Sequence, residues 1–236
     1  MSPGYRRALL KISGEALAGG KPHPWDPEKT LWIAEQIALA RADGRDLGVV
    51  IGAGNILRGK DAESLRVPHL VGDQIGMIAT VLNAMTLVSV LESLGVPART
   101  LSAFPVGCFV EPFENRKALG YLDQGNVLVF AGGTGNPCFT TDSAAALRAV
   151  EIQAEVLVKC TQVNGVYDKD PKEHSDAVFF ESISPAEVLE RRLEVIDASA
   201  VDILGRNRIP AIVLNLHQEG NIRRALAGEK VGTTIQ

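Results

Sequence analysis

The residues best placed to do chemistry sit where apolar runs break into glycine-rich turns. Ala131 to Ile152 reads AGGTGNPCFTTDSAAALRAVEI, directly after the apolar run Val127-Leu128-Val129-Phe130. Gly132, Gly133 and Gly135 carry no Cβ, so the backbone there can turn sharply and approach a ligand. Thr140, Thr141, Asp142 and Ser143 can each cap a helix running from Ala144 onward. A helix start offers free N–H groups and partial positive charge, which suits an anion. Leu10-Lys11-Ile12-Ser13-Gly14 places a lysine inside an apolar strand, which is costly without an anionic partner. Val49-Val50-Ile51-Gly52-Ala53-Gly54-Asn55 leads to Arg58, a residue type that grips phosphate through two parallel hydrogen bonds. Lys159-Cys160-Thr161 leads into the turn-rich Asn164 to Pro171 segment, long enough to cover a ligand. Taken singly, each stretch also has a purely structural reading: a strand–loop–helix joint, a lysine reaching for water, a solvated turn. Together, lysines, an arginine and backbone amides at strand ends are what phosphoryl transfer requires, because the protein's task there is positioning and charge neutralisation.

Other chemistries find less support. No Gly-Lys-Ser/Thr follows the glycines, so this is not a Walker A loop, and the third glycine of the dinucleotide fingerprint is missing. No Ser-His-Asp or Cys-His arrangement stands out; His23, His69, His174 and His217 lie in loop-like or polar settings. The cysteines number 3, are widely spaced and include no C-x-x-C, so neither a zinc site nor a disulfide framework is indicated. Cys108, Cys138 and Cys160 are expected to be buried or semi-buried free thiols of a reducing compartment. Net charge is -4 with both signs interspersed, which argues against nucleic-acid binding. The N-terminal segment has no apolar region of signal-peptide length, and no apolar stretch is expected to reach membrane-spanning length. A cytoplasmic protein without membrane contact is the expectation.

The elements that must position these residues follow from pattern. Ala8 to Ile12, Leu47 to Ile51, Val127 to Ala131, Val156 to Lys159 and Ala211 to Leu214 read as buried strands. Asp26-Pro27 opens a helix whose apolar face is Ile33, Ile37 and Ala40 and which Gly44 ends. Ser184 to Glu187 is a capping box, and Asp197 to Arg208 and Gly220 to Ala227 read as helices. This alternation predicts a mainly parallel sheet with helices on both faces. The helix over Asp73 to Leu94 is apolar nearly all round, which means either deep burial or a subunit contact, and in a domain of this size the contact is favoured.

The segments LLKISGEAL, VVIGAGNILRG, VGDQIGMIATVLNAMTL, GTGNPCFTTDSAAALRAVEI, VLVKCTQVNGVYDKDP and EGNIRRALAGEKVGT, in that order, closely resemble the bacterial uridylate kinase (UMP kinase) family of the amino acid kinase superfamily. The pattern TGNP-x-FTTD-[ST]-AA-x-LR is specific to that family, and the Lys-x-Ser-Gly strand is shared across the superfamily. The resemblance implies an α/β fold, a three-layer α/β/α sandwich with a mainly parallel central sheet. It implies a single domain over residues 1–236 whose N-terminal part takes UMP and whose C-terminal part takes ATP. It further implies ATP + UMP = ADP + UDP on the way to UTP and CTP, with Mg²⁺ accompanying ATP and no tightly bound cofactor. A homohexamer built from dimers, GTP activation and UTP inhibition belong to the same expectation.

Carried onto this chain, the resemblance makes Lys11 and Lys159 the holders of the transferring phosphate, with Asp142 orienting them and Arg58 completing the catalytic set. Lys11, Ile12, Ser13, Gly14, Gly54 and Arg58 would line the ATP phosphate path, and Thr161, Tyr167 and Asp170 would contact ATP. Ala53 and Asp73 would touch UMP, Asp73 through the ribose. Thr134, Gly135, Asn136, Pro137, Cys138, Phe139, Thr140 and Thr141 would wrap it. Gly19, Gly20, Lys21, Pro22, His23 and Pro24 occupy the region linked to GTP, with two prolines where the family usually has Gly-Phe-Gly. Ala53 replaces a usual glycine and Cys138 a usual aromatic or apolar residue. The rival readings are a sister carboxylate or carbamate kinase and a non-catalytic nucleotide-binding storage or regulatory protein on the same fold. TGNPCFTTD argues against the first, and intact Lys11, Asp142 and Lys159 against the second.

Overall fold

The computed structural model describes residues 4–20, 23–57, 64–193 and 195–236. Its frame follows from the apolar runs. β1 (Arg7–Ile12) is flanked on one side by β2 (Asp46–Ile51) and on the other by β6 (Val156–Thr161), all parallel. β5 (Val127–Ala131), β3 (Ala98–Ser102) and the short β4 (Glu111–Pro112) extend the sheet beyond β2. β10 (Ala211–Asn215), β11 (Thr233–Ile235) and β9 (Ser182–Ile183) extend it beyond β6. The order is β4-β3-β5-β2-β1-β6-β10-β11-β9, and among the described residues of this sheet only the β10–β11 pairing is antiparallel. The five expected strands are present within two residues of their predicted ends. β3 and the short strands carried no apolar run to reveal them.

Each face of the sheet is covered. Ala8, Leu10 and Ile12 of β1 point to a layer built from α1 (Glu15–Ala18), α2 (Pro27–Ala42), α3 (His69–Ser93) and α8 (Asn221–Leu226). Leu9 points to the opposite layer, of α4 (Asn115–Asp123), α5 (Thr141–Glu151), α6 (Pro185–Glu190) and α7 (Ala198–Asn207). The period of two in β1 and of about 3.6 in the helices produces this division. Asp26 caps α2 by accepting from the Glu28 and Lys29 amides, and Ser184 caps α6 through Glu187 N. On α5, Ala144, Ala145, Ala146 and Ala149 are fully buried, so small side chains let this helix lie close against the sheet.

Several expectations are corrected. α3 begins at His69, one turn before Asp73, because Pro68 rather than an acidic cap starts it. At 25 residues, with an 18-residue stretch whose mean hydropathy is 1.7, α3 is long and apolar enough to cross a membrane, contrary to the expectation that no stretch reaches that length. In the fold it packs against the sheet, burying Ala79, Val81, Ala84, Leu87 and Leu91. Only Cys160 is a buried cysteine; Cys108 and Cys138 are exposed, because both sit in loops outside the apolar layers. The Asn164 to Pro171 segment is not wholly a loop: β7 (Val166–Tyr167) pairs antiparallel with β8 (Phe179–Phe180).

Candidate active site

The centre of the site is a consequence of strand register. Lys11 on β1 is the direct neighbour of Lys159 on β6, and the row continues to Val50 on β2 and Val213 on β10. Val50 and Val213 lie in the apolar layer under α5 and α7. The two lysines thus replace apolar residues in that row, on the face covered by the start of α5. Asp142, in the first turn of α5, meets them. Its Oδ1 lies 2.7 Å from Lys11 Nζ, and its Oδ2 accepts a hydrogen bond from Lys159 Nζ. Side-chain exposure is 13% for Lys11, 14% for Lys159 and 6% for Asp142.

The electrostatics follow. Burial works against ionised Asp142, but the two ammonium groups outweigh it and hold the carboxyl below the usual carboxylate range. Burial lowers the pKa of Lys159 despite Asp142, and Lys11 adds to the lowering. Two lysines against one carboxylate leave the triad with one positive charge in excess, largely screened from water. An anion is the natural complement. Asp142 is not the helix cap. Thr140 takes that role, accepting from Asp142 N and Ser143 N while donating to Asp197, so α5 starts at Thr141 rather than Ala144. The neighbouring Cys160 thiol is pushed up to about 12 by burial, which removes it as a nucleophile at neutral pH.

Two glycine-rich turns border the triad. Gly14 starts α1, and a Cβ there would come within 2.4 Å of Asn55 Oδ1 and 2.5 Å of the Gly52 carbonyl, so only glycine lets the turns after β1 and β2 meet. Ile12 is fully buried and can offer only its backbone, while the Ser13 hydroxyl accepts from Glu15 N at 3.3 Å. Ala53 and Gly54 follow β2, and Ala53 does not need a positive φ, so its side chain is tolerated. Arg58, Lys21 and Pro22 lie outside the described residues. Gly19, Gly20, His23 and Pro24 lie beyond α1, where the Pro24 carbonyl accepts from Asn55 Nδ2 at 2.7 Å.

The turn after β5 is pinned by α3. Thr80 accepts from Gly132 N at 2.7 Å, and Asp73 Oδ2 accepts from Cys138 N at 2.8 Å. Gly135 has a φ of 84° and Cys138 one of 67°. Thr134 closes a small turn onto Asn136, and Pro137, Cys138 and Phe139 lead into Thr140 and Thr141, with Phe139 57% exposed. Asp73 is therefore brought to the 132–139 turn. Thr161, Tyr167 and Asp170 sit farther along. The Thr161 hydroxyl lies 2.9 Å from the Val163 carbonyl, and Asp170 Oδ1 accepts from Lys172 N at 2.8 Å. Tyr167 and Asp170 line a cleft of about 480 Å³ with Lys169, Lys172, Arg191 and Arg192. Thr161 does not line it. An apolar cavity of about 320 Å³ between α6, α7 and β10 holds no triad residue.

Sequence reasoning missed Asn83. This fully buried α3 residue donates to the Gly52 carbonyl at 2.7 Å and to Asn55 Oδ1 at 2.8 Å, and accepts from Trp25 Nε1 at 2.9 Å. Its signal was an amide within an otherwise apolar helix face. A second missed group is His69, Asp73 and Cys138, whose donor atoms lie within 4.8 Å of one another.

A parallel sheet carrying lysines at its strand ends beneath a helix start defines a phosphate-handling α/β enzyme. The chain belongs to the amino acid kinase family, whose sequence pattern matches residues 6–215. Within that family it stands among the uridylate kinases. It is 45% identical to the chloroplastic uridylate kinase PUMPKIN of Arabidopsis thaliana, over 98% of this chain and 68% of that protein. The structure of UMP kinase from Bacillus anthracis matches with a TM-score of 0.96 at 32% identity, over 99% of this chain and 96% of that one. The uridylate kinase of Archaeoglobus fulgidus matches with a TM-score of 0.76 at 33% identity, over 97% and 99%.

Proposed function

We propose that Lys11, Asp142 and Lys159 form the centre at which the γ-phosphoryl group of ATP passes to the phosphate of UMP. The observation that carries this reading is the buried excess of positive charge at the ends of β1 and β6. The acceptor oxygen of a nucleoside monophosphate is already ionised near neutral pH, so no general base is required. The lysines would neutralise charge on the group in flight, and Asp142 would hold them in place before substrate arrives. Asp142 Oδ2 accepts from Lys159 and Oδ1 faces the Lys11 ammonium at 2.7 Å, so each oxygen already has a cationic neighbour and the carboxylate does not fit a resident metal ligand. Mg²⁺ would enter with ATP, bound to the nucleotide's own phosphate oxygens, as part of the substrate.

In this reading Ala53, Asp73 and the Thr134 to Thr141 turn hold UMP. Lys11, Ile12, Ser13, Gly14, Gly54 and Arg58 line the phosphate path, and Thr161, Tyr167 and Asp170 hold ATP. All of this sits in one domain. Fixed backbone groups of Asn136 to Thr140 would match the donor at uracil N3 and the acceptor at O4, a pair that cytosine reverses. Such a mismatch leaves buried groups unpaired and discriminates by a factor of up to about 10⁴. A coupled ADP-release assay with UMP, CMP and small carboxylates tests the whole reading. Turnover with UMP and little with the others is expected. Equal kcat/KM for UMP and CMP would remove the uracil-reading turn, and activity with a carboxylate alone would move the chain to a sister activity.

The protein is further proposed to assemble through α3. Val71, Ile75, Ile78, Leu82 and Met85 are all exposed and recur at spacings of four and three, the pattern of a helix–helix seam. A dimer across this stripe, within a hexamer, would cover it. Activation by GTP and inhibition by UTP remain proposals resting on the resemblance, the former near Gly19, Gly20, His23 and Pro24. A flat rate across a GTP titration would remove that part alone.

A further inference from the structure

The geometry points to a binding site for a zinc-class divalent cation formed by His69, Asp73 and Cys138. His69 and Asp73 stand one turn apart on α3, and Cys138 is delivered from the turn before α5, so an imidazole, a carboxylate and a thiol converge. Their donor atoms lie within 4.8 Å of one another, and His69 Nδ1 is 3.6 Å from Asp73 Oδ2. Two ligands on one tetrahedral zinc ion sit roughly 3.3–3.5 Å apart, from bond lengths of about 2.0–2.3 Å. The His69–Asp73 pair is thus already spaced for a shared ion, and the Cys138 thiol lies within 4.8 Å of both donor atoms.

The approach is fixed from two sides. The Cys138 amide donates to Asp73 Oδ2 at 2.8 Å, which ties the thiol-bearing residue to the carboxylate. Cys138 is also held at a φ of 67°. The His69 side chain is 79% exposed, so an ion has an open path and a coordination position left for water. The start of a helix disfavours a cation. Here a thiolate and a carboxylate cancel the two positive charges, with the thiol proton released on binding. Mixed sulfur and nitrogen donors select zinc, cobalt or cadmium over magnesium.

One consequence rests on the reading of Asp73 and Cys138 as contacts of UMP: ion and nucleotide would exclude each other, making zinc a reversible inhibitor. The test separates the two claims. Co²⁺ is titrated into the nucleotide-free protein, and thiolate-to-cobalt absorption is followed in wild type, His69→Ala and Cys138→Ser. A saturable thiolate band at one equivalent is expected. Cys138→Ser should lack the band, and His69→Ala should bind more weakly by at least the tenfold or so that losing an outer partner of a metal already costs. No band, or equal bands in all three proteins, would overturn the site. UMP is then added to the cobalt-loaded wild type. Loss of the band supports the overlap, and an unchanged band overturns it while leaving the metal site standing. The ADP-release assay reports on UMP phosphorylation independently, and His69→Ala should keep basal turnover while escaping inhibition by zinc.

Discussion

The lysine triad and the outer face of α3 are opposite exceptions to ordinary core-and-surface chemistry. At the strand ends of β1 and β6, charged groups are buried: Asp142 is 6% exposed and sits between two lysines. On α3, large apolar groups are exposed, with Ile78 at 57% and Leu82 at 46%. Buried charge and a row of exposed hydrophobics are each informative because each is unfavourable until something else arrives. The difference lies in what that is. The triad has a geometry set by three side chains and awaits a small anion. The helix face has a shape set by a repeat and fits a second helix.

The comparison breaks most visibly at Asp142. Asp142→Asn should lower stability by about 3 kcal/mol, because two part-buried lysines lose their counter-charge. The loss is read by denaturant unfolding. The Asp142 carboxyl is depressed in the fold, so its contribution is complete above the unfolded-state value of 3.8 and disappears as pH falls through the lower folded-state value. The stability gap between wild type and variant should therefore be flat from about pH 5 to neutrality and close in stronger acid. A gap that widened in acid would contradict the pairing.

Lys11→Ala is the next largest. Turnover should fall by about 100-fold or more while the fold survives, since Lys159 still pairs with Asp142. A folded variant with wild-type turnover would take Lys11 out of the mechanism. Asn83→Ala should cost about 1–3 kcal/mol by leaving the Gly52 carbonyl and Trp25 Nε1 unpaired. It should also raise KM for substrate, because the turns after β1 and β2 lose their common anchor; stability without any kinetic effect would make Asn83 merely structural. Leu82→Glu is the smallest for the isolated chain, within about 0.5 kcal/mol, because Leu82 is solvent-facing there. Its effect should be on assembly: light scattering of wild type and variant should differ in mass, and identical masses would free the stripe of any role in association.

What could be read from the chain and what could not divide along physical lines. β1, β2, β5, β6 and β10 are central strands, so they show as predominantly apolar runs. The lysine inside one run flagged the site because such a residue is unstable without a partner. β3 escaped because Ala98-Arg99-Thr100-Leu101-Ser102 carries a charge and two hydroxyls. The first turn of α3 escaped because Pro68 caps nothing through a side chain. From its own surroundings in the chain Asp142 reads only as a helix cap; its place beside two lysines came from the family resemblance, and the register of β1 with β6 supplies the physical reason, because it sets the lysines side by side. The grouping of His69 with Cys138 was invisible for the same reason: it depends on where a turn after β5 meets a helix placed long before it.

That register has a consequence for how the enzyme comes into being. Lys11 lies near the beginning of the chain, and Lys159 reaches it only when β6 adds to a sheet whose other strands fill the interval. Contacts between such distant segments form slowly, because loop closure must come before they can stabilise anything. As the chain leaves the ribosome, β1 must wait for most of the protein to follow, with Lys11 lacking both its neighbour and its counter-ion. Catalytic competence is then a late, all-or-none event in folding. Return of turnover after dilution from denaturant would mark the moment when β1 and β6 pair, after most helical structure has already recovered.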